Sequence, residues 1–442
     1  MPTSTSDLAL SGGPKTVTLD PGDALDWPRV TAEDEQAVLA VLRRGAMSDL
    51  DETERFEREF ADWLGIEHAL GFCNGTAALQ AAMFACGVGV GHEIICPSIT
   101  YWASALPAFG LGATVVFADI DAETLCLDPA DIEHRITERT RAIVAVHYLG
   151  HPADMDAINA IARRHNLVVI EDASHAHGGR YKGRPIGTLS DVAAFSLMSR
   201  KSLPAGEAGM LVTAHRDIWQ RAVAFGHYGR FDQRIDDPQL SAYRGLPMGG
   251  IKGRMHQLSA AFGRSQLRRY DERAAEIRRA MHHFWDMLED VPGLRAHRVD
   301  ESAGSNMAGW YAARGHYVPE ELGGLSVSTF ARAVRAEGSE CAPGCNRPLH
   351  LHPLMNTADI YGHGKPTRLA HSARDVRQPA GSLPVSESIG RRVLKVPWFK
   401  RFVPELIEQH AAAYRKVAEQ HEQLLVCDEG ETTGLGGWGL SR

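Results

Sequence analysis

Apolar residues along the first half of the chain fall into short runs: HALGFC, EIICPS, ATVVFADI, RAIVAVHYL, LVVIEDAS, VAAFSL and GMLVTA. Each is short and rich in β-branched or aromatic residues, the pattern of a buried strand. Between several lie amphipathic segments such as TAALQAAMFACG and MDAINAIARRHN. Continuous apolar strands alternating with helices predict an α/β large domain, a mostly parallel sheet covered on both faces. Its ligands should sit at the carboxyl ends of the strands. Upstream, Val38, Leu39 and Leu42, then Phe56, Phe60 and Trp63, recur at helical spacing, and Gly65 supplies a C-cap. Residues 1–30, punctuated by Gly and Pro, read as an extended N-terminal arm that must lean on something.

Near residue 255 the pattern changes. HQLSAAFGRSQLRRYDERAAEIRRAMHHFWDMLEDV places Ile277, Met281, Phe284 and Leu288 on one helical stripe, long enough to bridge two lobes. A smaller α+β domain follows, with a polar Gly/Pro/His-rich stretch over about 340–385 and a closing amphipathic helix over about 403–425. The division is therefore an arm over 1–30, a large domain over 31–255, an interdomain helix with the small domain over 256–425, and a flexible tail over 426–442.

Composition narrows the class of protein. The chain has 442 residues and a formal net charge of −8, so its overall balance attracts neither nucleic acid nor an anionic membrane. No apolar run approaches the roughly 20 residues that span a bilayer. The first residues lack a charged segment followed by an apolar one, so no signal peptide is read and the cytoplasm is the default location. The seven cysteines are scattered, an odd count that argues against a disulfide framework. Cys341 and Cys345 alone, without a second His/Cys pair, do not make a metal site.

Four stretches at predicted strand ends carry chemistry. In CNGTAAL, Gly75 and Thr76 open a helix, offering free N–H groups, a hydroxyl and the positive end of the dipole to a phosphate; an ordinary Thr N-cap is the bland reading. VVIEDASHAHGG ends a strand in two carboxylates and two histidines. Asp172 there could hold a ring nitrogen protonated, or join His175 and His177 in a metal site or a buried network. In VAAFSLMSRKSLPAGEAG, Ser196 ends a strand and Lys201 follows five residues later. A P-loop needs its glycines before the lysine, and here they come after, so that reading fails. What remains is a loop lysine or a Schiff-base amine. In CPSITYWASA, Tyr101 and Trp102 either stack on a planar ligand or pack into the core.

A phosphate cradle, a covalent lysine, an acid for a ring nitrogen and a stacking aromatic are the parts of a pyridoxal 5′-phosphate site. NGTAAL, EDASHAHGG, FSLMSRKSLPAGEAG, GIKGRMHQLSAAFGRSQL and LPVSESIGRRVLKVPWF occur in order from about residue 10 to 425, and the chain resembles the DegT/StrS-type sugar and aminocyclitol aminotransferases. The resemblance implies the aspartate-aminotransferase-like fold type I. It also implies a homodimer with active sites at the subunit interface, while charge, apolar runs and ligand spacing lead to the expectation of a cytoplasmic protein with no nucleic-acid or membrane partner and no metal. By resemblance Lys201 is the covalent anchor and proton carrier, Asp172 pairs with the pyridine nitrogen, and His175 lies near the phenolic oxygen. Gly75, Thr76 and Ser196 hold the phosphate, and Tyr101 stacks, with Trp102 as fallback. Two positions depart from the family pattern. Ala208 replaces a glycine and is tolerable only at negative φ, and Lys252 replaces the asparagine that reaches the neighbouring subunit's phosphate.

The implied reaction moves an amino group from an amino acid, glutamine or glutamate, to a cyclic ketone in secondary-metabolite or aminosugar biosynthesis. AFGHYGR and RPLHLHPLM resemble the branch acting on inosose-like keto-cyclitols, beside those acting on nucleotide-linked keto-sugars. His227, Tyr228, His350 and His352 are candidates for substrate hydroxyl contacts. The alternatives are a sugar dehydratase-like enzyme, against which Lys201 argues because that branch has histidine there, and a non-catalytic homologue that binds the cofactor. A dinucleotide-binding oxidoreductase fails, because CGVGVGHE precedes its strand instead of following one.

Overall fold

The seven apolar runs become the seven strands of one sheet: β1 (His68–Phe72), β2 (Glu93–Pro97), β3 (Thr114–Ala118), β4 (Thr140–Val146), β5 (Val168–Asp172), β6 (Val192–Ser196) and β7 (Gly209–Thr213). The computed structural model describes residues 7–432 and 435–438, the side chains of residues 232 and 233 excepted. The strands are ordered β1-β7-β6-β5-β4-β2-β3, and only β7 runs against the others. The carboxyl ends of the other six therefore share one edge, where the amino end of β7 joins them. Nearly every strand residue is buried, because helices cover both faces and the backbone has no solvent to fall back on.

Helix α1 (Ala32–Arg43) starts with a capping box: the Thr31 N–H donates to Asp34 Oδ2 at 2.7 Å, satisfying a donor the helix leaves orphaned. Helix α2 (Asp51–Leu64) buries Phe56, Phe60 and Leu64, and ends at Gly65 with φ +70°. Phe60 meets Phe195 of β6 edge to face at 5.2 Å, and burying such a ring stabilises by about 1.5–3 kcal/mol. Helix α3 (Gly75–Ala85) follows β1 and packs on β6 and β7 through small alanines that permit close approach.

Beyond β7 the long apolar stripe is not one helix. It breaks at Arg268 and Arg269 into α4 (Gln257–Leu267) and α5 (Tyr270–Asp286). Arg269 pairs there with Asp34 of α1 at 2.8 Å and with Ser265 at 3.0 Å, holding the break against the large domain. Ile277, Met281, Phe284 and Leu288 do turn inward together, into a second core. That core lies against an antiparallel sheet of β8 (Leu294–Ala296), β9 (Arg314–Tyr317), β10 (Ala342–Pro343) and β11 (Val393–Lys395), in the order β8-β9-β11-β10.

Three stretches sit differently from the sequence reading. Leu349, Met355, Leu383 and Ile389, read as small-domain residues, join the core of the large sheet. Gln378 from this segment pairs with both backbone groups of Phe117, at 2.9 and 2.7 Å, so a side chain completes the edge strand β3. The N-terminal arm leans on its own chain. Leu8 joins the second core, and Glu337 accepts the Ala9 N–H at 2.7 Å and the Thr16 hydroxyl at 2.8 Å. Of the tail read as flexible, residues 433–434 and 439–442 lie outside the described residues. In the rest, Asp428 accepts the Ser326 N–H at 2.9 Å and Glu431 that of Val327 at 2.9 Å, capping a helix start. Among the described residues no helix is long and apolar enough to cross a membrane.

Candidate active site

At the end of β1, Asn74 caps α3 by accepting the Ala77 N–H at 2.8 Å. The cap is Asn74, so Thr76 keeps its hydroxyl. The N–H groups of Gly75 and Thr76 belong to the first turn, where a helix has no internal acceptor for them and presents a partial positive charge. A Cβ on Gly75 would stand 2.7 Å from Ser196 Cβ. Only glycine lets this helix start approach the end of β6 so closely, and the result is a cradle of N–H groups and hydroxyls suited to an anion.

Asp172 ends β5, beside β6. Its Oδ2 accepts from Ser104 Oγ at 2.6 Å and its Oδ1 from the Ser174 N–H at 3.1 Å. Ser174 Oγ in turn accepts the Ser196 N–H at 3.1 Å, tying the acid to the cradle. Ser104 belongs to the same turn as Tyr101 and Trp102, whose rings lie 5.0 Å apart and are each 37% exposed. Neither ring packs into the core, so both keep surface free to cover a planar ligand.

Lys201 lies in the turn after β6, buried to 7% exposure, with Nζ 4.2 Å from the centroid of the Tyr311 ring. Among the described residues this amine has no hydrogen-bond or ion-pair partner. With no carboxylate beside it, the amine rests on the π face of Tyr311, a cation–π contact that contributes about 0.5–2 kcal/mol. The turn is closed by backbone bonds from Ser199 to Gly206 and from Ala205 to Leu197, both 2.7 Å. Gly206 takes φ +89°. Ala208 stays out of the left-handed region, so its methyl introduces no backbone strain.

Two histidines flank the lysine and differ in use. The Leu149 N–H donates to His175 Nδ1 at 3.2 Å, which places the proton of the neutral ring on Nε2. Burial, then the charge of Lys201, hold His175 well below the ordinary histidine range. It therefore presents an N–H donor beside the lysine, with Tyr311 at 4.7 Å. His177 donates from Nε2 to the Ser196 carbonyl at 3.0 Å, and its Nδ1 bonds Ser202 Oγ at 3.2 Å. It braces the two sides of the lysine turn, and burial pushes its pKa down to about 3. Among the described residues no group of three His, Cys, Asp or Glu could hold a metal ion.

Gly75, Thr76, Ser196, Asp172, His175, Tyr101 and Lys201 thus converge on one sheet edge, while Lys252 stands apart. It is exposed, and among the described residues its one ring or ionic contact is Tyr228, at 5.7 Å. Of the three histidines read as substrate contacts, His350 and His352 are engaged within the protein. His350 is buried between Ser98 Oγ at 2.7 Å and Glu387 at 3.0 Å. His352 accepts the Leu354 N–H at 3.0 Å as a helix cap. His227 is buried edge-on against Phe72 at 4.8 Å. Tyr228 remains partly exposed beside Lys252. The sequence reading missed Ser104, Ser174 and Tyr311. Ser174 lies inside EDASHAHGG and Ser104 in the turn of Tyr101, so proximity to those motifs was their signal. Tyr311 arrives from the segment leading into β9 and had none.

Comparison with known proteins identifies relatives of the chain and of its fold. Residues 28–413 match the model of the DegT/DnrJ/EryC1/StrS aminotransferase family. An L-glutamine:scyllo-inosose aminotransferase of Streptomyces griseus is 34% identical over 430 residues, 94% of this chain and 98% of that protein. Among solved structures, an aminotransferase from Psychrobacter cryohalolentis superposes with a TM-score of 0.79 at 30% identity, covering 90% of this chain and 99% of its own. DesI, solved in the presence of its TDP-sugar product, superposes with a TM-score of 0.75 at 28% identity, covering 96% and 99%.

Proposed function

The chain belongs to the DegT/DnrJ/EryC1/StrS aminotransferase family, and from that premise we propose that it is a pyridoxal 5′-phosphate-dependent aminotransferase. It carries the amino group of glutamine or glutamate to a cyclic ketone in aminocyclitol or aminosugar biosynthesis. The similarity to an L-glutamine:scyllo-inosose aminotransferase over nearly the whole chain favours L-glutamine as donor and an inosose-like keto-cyclitol as acceptor. The single observation that carries the reading is a largely buried lysine, Lys201, whose amine has no hydrogen-bond or ion-pair partner among the described residues, on the same sheet edge as a buried acid, Asp172, with two acceptor positions free.

Each residue has a physical task. The N–H groups of Gly75 and Thr76, with the hydroxyls of Thr76 and Ser196, would hold the phosphate at the positive end of α3. Asp172 would hold a proton on the pyridine nitrogen, since two of its acceptor positions remain free and its burial makes an unpaired charge costly. His175 would donate its Nε2 proton toward the phenolic oxygen, and Tyr101 would cover the ring. When bound, the cofactor supplies an electron sink for the pair left on the donor's Cα. Lys201 Nζ would take the proton from the donor's Cα and return one when the acceptor is aminated.

The proposal includes a homodimer in which Lys252 serves the neighbouring site as a point charge, supported by its exposure beside Tyr228 and by the exposed Tyr243, Leu246 and Met248 on the same loop. A cytoplasmic location is in keeping with seven free cysteines. Two measurements test the reading. The purified protein should show a visible cofactor band that Lys201→Ala abolishes while fold is retained. L-Glutamine should yield amine product with scyllo-inosose in preference to a nucleotide-linked keto-sugar; the reverse preference would move the assignment to the keto-sugar branch.

A further inference from the structure

The environment of Lys201 has a second side that the proposed chemistry does not use. The indole Nε1 of Trp27, on the N-terminal arm, donates to the backbone carbonyl of Lys201 at 2.8 Å, across 174 residues of sequence. The Trp27 ring lies 5.9 Å from that of Trp398, and Trp398 meets Tyr311 edge to face at 5.8 Å. Tyr311 is the ring beneath Lys201 Nζ. A continuous set of three rings therefore starts at the carbonyl of the lysine and ends at its amine. Trp398 is itself fixed by donating Nε1–H to the Gly309 carbonyl at 3.0 Å, in the loop that carries Tyr311.

The arm is not free to drift. The Lys400 N–H donates to the Ala24 carbonyl at 2.8 Å, Arg401 pairs with Asp23 at 3.1 Å, and Leu25 and Trp27 pack on the second core. Trp27 thus anchors the lysine turn of the large sheet to the smaller unit. Nothing in the fold of the turn requires this bond, since the turn is closed by its own backbone bonds. The surplus contact falls on the residue whose side chain must reach the reacting carbon.

We propose that Trp27 is a positioning residue for Lys201. It fixes the lysine's peptide group, with Trp398 and Tyr311 completing the support, so that Nζ is presented in one orientation. This rests on the reading of Lys201 as the covalent anchor. A neutral hydrogen bond contributes about 0.5–1.5 kcal/mol, so losing it should change a rate that depends on the lysine's orientation by about 2- to 12-fold.

The test compares the wild-type holoenzyme with Trp27→Phe, which keeps a ring but loses the donor, and with Tyr311→Leu, which removes the π face. Three quantities are measured: the single-turnover rate with L-glutamine against its KM, the exchange of bound cofactor with isotope-labelled pyridoxal 5′-phosphate, and thermal unfolding. For Trp27→Phe the turnover rate should fall and cofactor exchange should quicken by about that factor, with KM for L-glutamine unchanged. Tyr311→Leu should move the same two rates in the same directions. Unaltered turnover and exchange in Trp27→Phe, whether or not its melting temperature falls, would overturn the proposal and leave Trp27 a packing residue. Borohydride fixation of the cofactor on a lysine other than Lys201 in the wild type would instead refute the underlying reading, so the two failures are distinguishable.

Discussion

Strand β5 ends in two neighbouring carboxylates that point to opposite faces of the sheet and meet opposite fates. Glu171 is fully buried and accepts four bonds: from His147 Nε2 at 3.0 Å, the N–H groups of Gly187 and Leu189 at 2.8 and 2.9 Å, and Ser190 Oγ at 2.9 Å. His147 Nδ1 accepts the Ala153 N–H, so its Nε2 carries the proton Glu171 needs. Asp172 is nearly as buried but, among the described residues, accepts only from Ser104 and Ser174. A carboxylate has about four acceptor positions. Glu171 has filled them and Asp172 has two to spare. The first acid organises the 187–190 loop; the second retains capacity for a ligand. Spare hydrogen-bonding capacity, more than burial or charge, separates the two acids.

The largest expected effect comes from Asp172→Asn, which keeps the shape and removes the charge. Breaking a buried ionic contact costs about 3–5 kcal/mol, so kcat/KM for amino transfer should fall at least about a hundredfold with thermal stability nearly unchanged. Glu171→Gln should do the reverse. Its amide NH2 replaces one oxygen and so faces either the Gly187 N–H at Oε2 or the Leu189 N–H at Oε1, donor against donor, and the loss of charge-assisted bonds should cost about 2–4 kcal/mol in urea unfolding while kcat of the folded enzyme changes little. If both variants lost activity equally, the distinction between the faces would collapse. A smaller effect is expected from Gly75→Ala, whose Cβ would crowd Ser196 at 2.7 Å. Weakening of cofactor affinity by about tenfold, read by equilibrium titration, would locate the phosphate at that cradle.

The pH dependence sharpens the same contrast. Burial opposes ionisation of Glu171, but the bond from His147 and the N–H groups of Gly187 and Leu189 prevail and hold its carboxyl below the ordinary glutamate range. Its stabilisation is therefore present above about pH 4.5 and is lost as pH falls through the folded value. Burial also pushes His151 and His410 down to about 4 from 6.5. Between about pH 4 and 6.5 the unfolded chain binds more protons at these sites, so stability falls as pH drops through that window. Wild type and Glu171→Gln should share the histidine-driven loss, and the stability gap between them should narrow only below about pH 4.5, measured by denaturant unfolding at each pH.

What was legible in the sequence follows the same division. The seven strands were visible as apolar runs, and the residues at their ends were visible as motifs, because Gly75, Asp172, Ser196 and Lys201 each lie within a few residues of a strand terminus. Which of Glu171 and Asp172 faces the ligand depends on strand parity against the helices, and the motif alone does not carry that. The supports assembled from afar were invisible. Tyr311 and Trp27 reach Lys201 only once the second core has docked on the first, and no local spacing encodes such a contact. His350 misled for the opposite reason, since a conspicuous residue type in a polar stretch gives no sign that Ser98 and Glu387 will enclose it. The helical stripe read over 256–291 broke at Arg268–Arg269, where Arg269 is held by Asp34 of α1, a partner the stripe does not show.

The most direct test of the central claim is to reduce the cofactor-loaded protein with borohydride and map the labelled peptide. The account predicts that pyridoxal 5′-phosphate is fixed on Lys201 and that Lys201→Ala, still folded, retains no fixed cofactor. Label on any other lysine, or a covalent adduct surviving in Lys201→Ala, would contradict it.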